Sequence, residues 1–87
     1  MKSSVLMYCT AACPFCQSAE RLLVEKGAQI EKIRVDTHPE RRGEMMQKSG
    51  RRTVPQIWIG ERHIGGCDDL YALEREGGLD PLLEAVR

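Results

Sequence analysis

The sequence predicts an α/β fold, a mixed four-stranded sheet with helices on both faces, and three observations support it. Short apolar runs of strand length alternate with segments of helical period. Turn chemistry rich in Gly, Pro and Asp separates them. A two-residue loop, Gly60-Glu61, joins the last two strand candidates as a hairpin.

Val5 to Tyr8 is mostly apolar and suits a buried central strand. A cysteine pair follows, and then a helix with Ala19, Leu22 and Leu23 on one face and Glu20, Arg21, Glu25 and Lys26 turned away. Pro14 fits its first turn and Gly27 its C-terminal end. Ile30 to Val35 reads as a second strand, with turn chemistry at Asp36-Thr37-His38-Pro39. A second helix opens at Pro39 and closes at Ser49-Gly50, with Met45 and Met46 read as core. Gln56 to Ile59 and Arg62 to Ile64 form the hairpin, and Gly65-Gly66 breaks it. Asp68 to Glu76 is helical, with Leu70, Tyr71 and Leu73 inward, and Gly77-Gly78 ends it. Asp80 is expected to cap a last short helix with Pro81 at its first position. The first crossover is expected to pair its strands in parallel with right-handed connectivity.

With 87 residues the chain supports one domain, 1–87. A chain of this size buries roughly 60–65% of its unfolded surface, so its core is thin. Thirteen basic and thirteen acidic side chains cancel, which argues against nucleic acid or an anionic membrane as partner. No apolar run approaches the ~20 residues of a membrane span. The stretch from Met1 to Tyr8 does not read as a signal peptide, which sets the expected location in a reducing cytoplasm.

Cysteines stand at 9, 13, 16 and 67. Cys13 and Cys16 sit at a strand-to-helix junction, where free N–H groups and the helix macrodipole favour negative charge. They would stabilise a thiolate, the form of cysteine that attacks. Cys13, at the helix start, is expected to be exposed and nucleophilic, and Cys16, a turn inside, to be shielded and to resolve. Three other readings compete. Two structural disulfides fit a secreted miniprotein, a context this chain does not suggest. Inert core cysteines do not require this spacing. Four thiolates from Cys9, Cys13, Cys16 and Cys67 could in number hold zinc, but zinc sites usually pair their ligands twice, and Cys9 and Cys67 are each alone. No metal is expected.

Three motifs stand in order, Cys13-Pro14-Phe15-Cys16, Thr53-Val54-Pro55 and Gly65-Gly66-Cys67-Asp68-Asp69-Leu70, and together they resemble the glutaredoxin family over the whole chain. Cys13-Pro14-Phe15-Cys16 resembles its dithiol centre, with Phe15 where Tyr is common. Thr53-Val54-Pro55, followed by Gln56-Ile57-Trp58-Ile59-Gly60, resembles its cis-proline loop and strand, and Gly65-Gly66-Cys67-Asp68-Asp69-Leu70 its glutathione-binding turn. The resemblance implies a thioredoxin-like fold and a cis Val54–Pro55 bond. It implies that glutathione, as reducing co-substrate, lies against Phe15, Thr53, Val54 and Pro55. Gly65 and Gly66 would let the backbone approach the ligand closely. N–H groups at Cys67, Asp68 and Asp69 would bind its γ-glutamyl carboxylate, an Asp its ammonium, and Arg42 its glycine carboxylate. Plain helix capping is the competing role of Asp68 and Asp69. The family often has Lys three residues before the nucleophile, where this chain has Thr10. Cys67 is a third thiol near the centre. Cys9 reads as a buried inert thiol, Trp58 as core, and His38 and His63 as surface groups.

The resemblance implies a monomeric enzyme that reduces glutathione–protein mixed disulfides and protein disulfides. Ribonucleotide reductase would be one target, and glutathione reductase would maintain the glutathione pool. Two alternatives stand beside it. Some relatives bridge a [2Fe–2S] cluster through the first cysteine and glutathione, but Pro14 and Cys16 favour redox work. A redoxin served by thioredoxin reductase would lack the Gly-Gly-Cys-Asp-Asp turn.

Overall fold

The sheet is built around strand β1 (Val5–Cys9), which is apolar toward both faces. A computed structural model describes residues 4–86; the first three residues of the stretch read as lacking a signal peptide lie outside it. β1 pairs in parallel with β2 (Ile30–Arg34) and antiparallel with β3 (Gln56–Ile59), and β3 pairs antiparallel with β4 (Arg62–Gly65). The strand order is β2-β1-β3-β4. Helices α1 (Pro14–Glu25), α2 (Pro39–Ser49), α3 (Cys67–Arg75) and α4 (Leu79–Ala85) fill the intervals, which gives the predicted mixed four-stranded sheet.

The two-residue period of β1 and β3 divides the core. Val5, Met7, Ile57 and Ile59 pack with Ala19, Leu22 and Leu23 of α1, Leu70 of α3, and Leu79 and Leu83 of α4. Tyr8 and Trp58 point the other way, onto Ile33, Val35 and Met45 of α2. Three helices thus cover one face and a single helix covers the other. Each fully buried side chain of the Leu, Ile or Met class contributes about 1.5–3 kcal/mol.

The thinner layer is held by polar contacts as well. The Tyr8 hydroxyl donates to the Glu44 carboxylate, which also accepts from Arg41 at 3.1 Å. Burial and then Glu44 push the Tyr8 hydroxyl up to about 12. The bond from Tyr8, with Arg41 behind it, holds Glu44 below the usual carboxyl range. Tyr8 and Trp58 meet edge to face with ring centroids 5.5 Å apart, and the Lys48 ammonium lies 4.8 Å from the Trp58 centroid.

Four local expectations change. Gly78, not Asp80, precedes α4, so Pro81 lies two residues inside it. The buried Leu79 anchors the first turn, while the Asp80 carboxylate reaches Lys26 at 3.0 Å. Met46 is half-exposed although Met45 is fully buried, because consecutive helical residues point about 100° apart. Gly65 ends β4 rather than breaking it, paired with Ile57. His63 is not a surface group: its ring is half-buried, stacked on Trp58 with centroids 4.6 Å apart.

Candidate active site

Cys13 is the N-cap of α1, with extended backbone. Its Sγ accepts the Cys16 N–H at 3.1 Å. Pro14 stands at the first helical position, where an N–H has no helical partner, and the first turn carries no acidic residue. The helix therefore directs unopposed N–H groups and the positive end of its dipole at this sulfur. Cys13 and Cys16 are joined as a disulfide, with Cα atoms 5.2 Å apart. Cys13 was expected to be exposed; it is only 6% exposed, close to the 4% of Cys16. The reason is the loop before β3, whose Val54 carbonyl oxygen lies 3.9 Å from the Cys13 sulfur.

Beside the disulfide lies a groove of about 290 Å³. Phe15, Arg51, Thr53, Val54, Pro55, Gly66, Cys67, Asp68 and Asp69 line it. The Val54–Pro55 bond is cis. Across from it, Gly66 caps α3, and its N–H donates to the Asp69 carboxylate at 2.9 Å. The same oxygen accepts from Arg51 Nη1 at 2.8 Å. Arg51 and then the Gly66 N–H hold the Asp69 carboxyl below its ordinary range. Gly65 has φ of +116°, and a Cβ there would collide with that carboxylate and come within 3.1 Å of Arg51. Asp68 receives no hydrogen bond among the described residues and leaves its charge facing the groove. Burial, with a smaller push from Asp68, raises the Cys67 thiol above its ordinary value.

A second cavity, of about 460 Å³, lies behind the pair and is lined by Cys9, Thr10, Cys16, Lys32 and Arg34 among others. Its cations are engaged, Lys32 with Glu20 at 3.0 Å and Arg34 with Asp36 at 2.7 Å. Burial pushes the Cys9 thiol up. Among the described residues no three His, Cys, Asp or Glu side chains gather as a metal-ligand set.

A helix-capping dithiol thus faces a cis-proline loop. The family model described as Glutaredoxin matches residues 5–64. The chain belongs to the glutaredoxin family. It is 57% identical over 81 residues to a glutaredoxin of Pseudomonas aeruginosa, covering 93% of this chain and 96% of that one. It is 50% identical over 82 residues to glutaredoxin 3 of Escherichia coli K12, covering 94% and 99%. A crystal structure of a buckwheat glutaredoxin–glutathione complex superposes with a TM-score of 0.90 at 30% identity, covering 97% of this chain and 79% of that one. The fold is therefore thioredoxin-like. This glutaredoxin is a thiol–disulfide oxidoreductase, and Cys13 and Cys16 are its redox-active, disulfide-forming pair.

Of the nine residues that the family resemblance implies for the ligand site, eight line this groove. Arg42 is the exception. Its guanidinium turns away and donates to the Arg52 carbonyl at 3.0 Å. The cation that lines the groove is Arg51. Its direction follows from Gly50, whose left-handed φ of 72° ends α2 and reverses the chain just before Arg51. Ser49-Gly50 was legible as a helix stop; which way the next side chain would turn was not. Thr10, at the position where relatives often carry Lys, faces the rear cavity.

Proposed function

We propose that this glutaredoxin uses glutathione as its reducing co-substrate, with Cys13 as nucleophile and Cys16 as resolving thiol. The observation carrying this reading is the groove, which sets a loop backbone at Val54 opposite the N-terminus of α3 and beside the Cys13 sulfur. An extended peptide can hydrogen-bond to Val54 as an added strand does. The N–H groups of Cys67, Asp68 and Asp69 suit an α-carboxylate, and the uncommitted Asp68 suits the adjacent ammonium. Phe15, 62% exposed at the rim, offers an apolar wall beside the sulfur. Arg51, held by the Asp69 carboxylate at 2.8 Å, is the cation lining the groove and adds positive charge beside the N-terminus of α3. The γ-glutamyl end and the central cysteine of glutathione match these features.

In the cycle, Cys13 thiolate attacks the glutathione sulfur of a mixed disulfide, and the target leaves as a thiol. A second glutathione thiolate attacks the Cys13–glutathione disulfide, which yields glutathione disulfide and restores the Cys13 thiolate. With a protein disulfide, Cys13 first forms a bond to one target sulfur and expels the other. Cys16 thiolate then attacks the Cys13 sulfur, the second target sulfur leaves, and the Cys13–Cys16 disulfide results. Helix N–H groups at Cys13 lower its basicity and improve it as the leaving group. The cycle requires a reducing, glutathione-rich compartment such as the cytoplasm.

The test is glutathione-coupled turnover of a mixed disulfide. Cys13→Ser is expected to abolish it, and Cys16→Ser to retain most of it while losing reduction of protein disulfides. Full activity of Cys13→Ser refutes the assignment. A coloured protein after anaerobic reconstitution with iron and sulfide would point to cluster binding instead.

A further inference from the structure

Gln56 is the one polar or charged side chain fully buried among the described residues. A buried carboxamide is costly unless its donors and acceptor are used. Gln56 Nε2 donates to the Thr53 carbonyl at 3.0 Å and lies 3.4 Å from Thr53 Oγ1. That orientation leaves Gln56 Oε1 facing His63 Nε2 at 2.8 Å. An oxygen there accepts only, so His63 Nε2 carries a hydrogen. The imidazole is itself fixed by stacking on Trp58.

The neighbouring carbonyls are held in the same way. Ser49 Oγ donates to Arg51 O at 3.2 Å, and Arg42 donates to Arg52 O at 3.0 Å. Three consecutive carbonyls, those of residues 51–53, are thus held by side chains. Val54 comes next, with its carbonyl toward Cys13.

We propose that Gln56, anchored by His63, is the positioning residue that fixes the Thr53 carbonyl and so presents the Val54 backbone to the peptide ligand. Gln56 touches neither ligand nor sulfur and acts through the Thr53–Val54 peptide. The proposal rests on the glutathione reading above. Loss of the carboxamide leaves the Thr53 carbonyl unheld, so the loop no longer waits in the binding geometry and ordering it opposes binding.

The experiment measures the Kd of unreactive S-methylglutathione together with KM and kcat on a glutathione mixed disulfide. Gln56→Leu is expected to raise Kd and KM about tenfold with kcat within about twofold. His63→Leu, which leaves Gln56 in place without its anchor, raises Kd about two- to threefold, and His63→Gln, which keeps a donor, restores it. If Gln56→Leu does not fold, the two His63 variants decide. Unchanged Kd in the leucine variants, or a fall in kcat at constant KM, overturns the proposal. The parent reading is checked on the unaltered protein. If that protein neither binds S-methylglutathione nor prefers the glutathione mixed disulfide to a simple dialkyl disulfide, the glutathione reading fails and the proposal with it.

Discussion

One carboxylate oxygen of Asp69 serves two partners, and two substitutions separate them. Asp69→Asn keeps an acceptor for the Gly66 N–H but loses the charge facing Arg51. That ion pair is half-exposed, 48% on Arg51 and 44% on Asp69, so its loss costs about 0.2–1 kcal/mol. Asp69→Ala also removes the acceptor that satisfies the Gly66 N–H at 2.9 Å. A lost helix cap costs about 0.5–2 kcal/mol, so the alanine variant should lose about 1.5 kcal/mol in all. In a domain of this size that lowers Tm by about 6–12 °C. Urea unfolding followed by Trp58 fluorescence measures both variants. The pH dependence has a definite sign. The folded carboxyl titrates below its unfolded value, chiefly because of Arg51. Its contribution is therefore full above the ordinary aspartate value of about 3.9 and is lost as pH falls through the lowered folded value. The gap between the natural protein and Asp69→Asn should close on acidification below about pH 4 and shrink in high salt. An alanine variant no less stable than the asparagine one, or a gap that widens in acid, refutes the reasoning.

Gly65→Ala should cost about 1–3 kcal/mol in the same urea assay, because its φ of +116° and the Asp69 carboxylate both oppose a Cβ. Tyr8→Phe should cost about 1.5–3 kcal/mol, since it removes a hydrogen bond to a charged acceptor. In that variant the Glu44 carboxyl should titrate closer to its usual range, as read by side-chain NMR. After reduction at pH 7, iodoacetamide should alkylate Cys13 well before Cys9 or Cys67, whose thiols burial pushes up. Raising the pH should narrow that difference, and early labelling of Cys9 in mass spectra would contradict it.

The elements were legible because their signals are local. The apolar runs of β1 and β3, the Gly60-Glu61 loop and the proline-led helices each need only neighbouring residues. The dithiol and its two partner loops were legible as motifs, since their order along the chain is distinctive. What escaped depends on side chains that reach across space. Arg42 and Arg51 are both long cations near one loop, and only the reversal at Gly50 aims Arg51 into the groove. Asp80-Pro81 carries a helix-start signal, yet the burial of Leu79 starts α4 earlier. Cys13 reads as exposed at a helix tip until Val54, 41 residues later, comes over it. Gln56 and His63, seven residues apart, meet only because β3 and β4 fold together.

The sheet edges bear on which strangers the protein will accept. Its outer strands, β2 and β4, carry Glu31, Lys32 and Arg62 exposed along them. A foreign strand adding to either border would have to strip water from these charges, which discourages fibre-like stacking of copies. Extended chain is thus turned away at the borders. The chemistry of the Cys13–Cys16 pair is therefore carried on a sheet whose borders resist the recruitment of further strands.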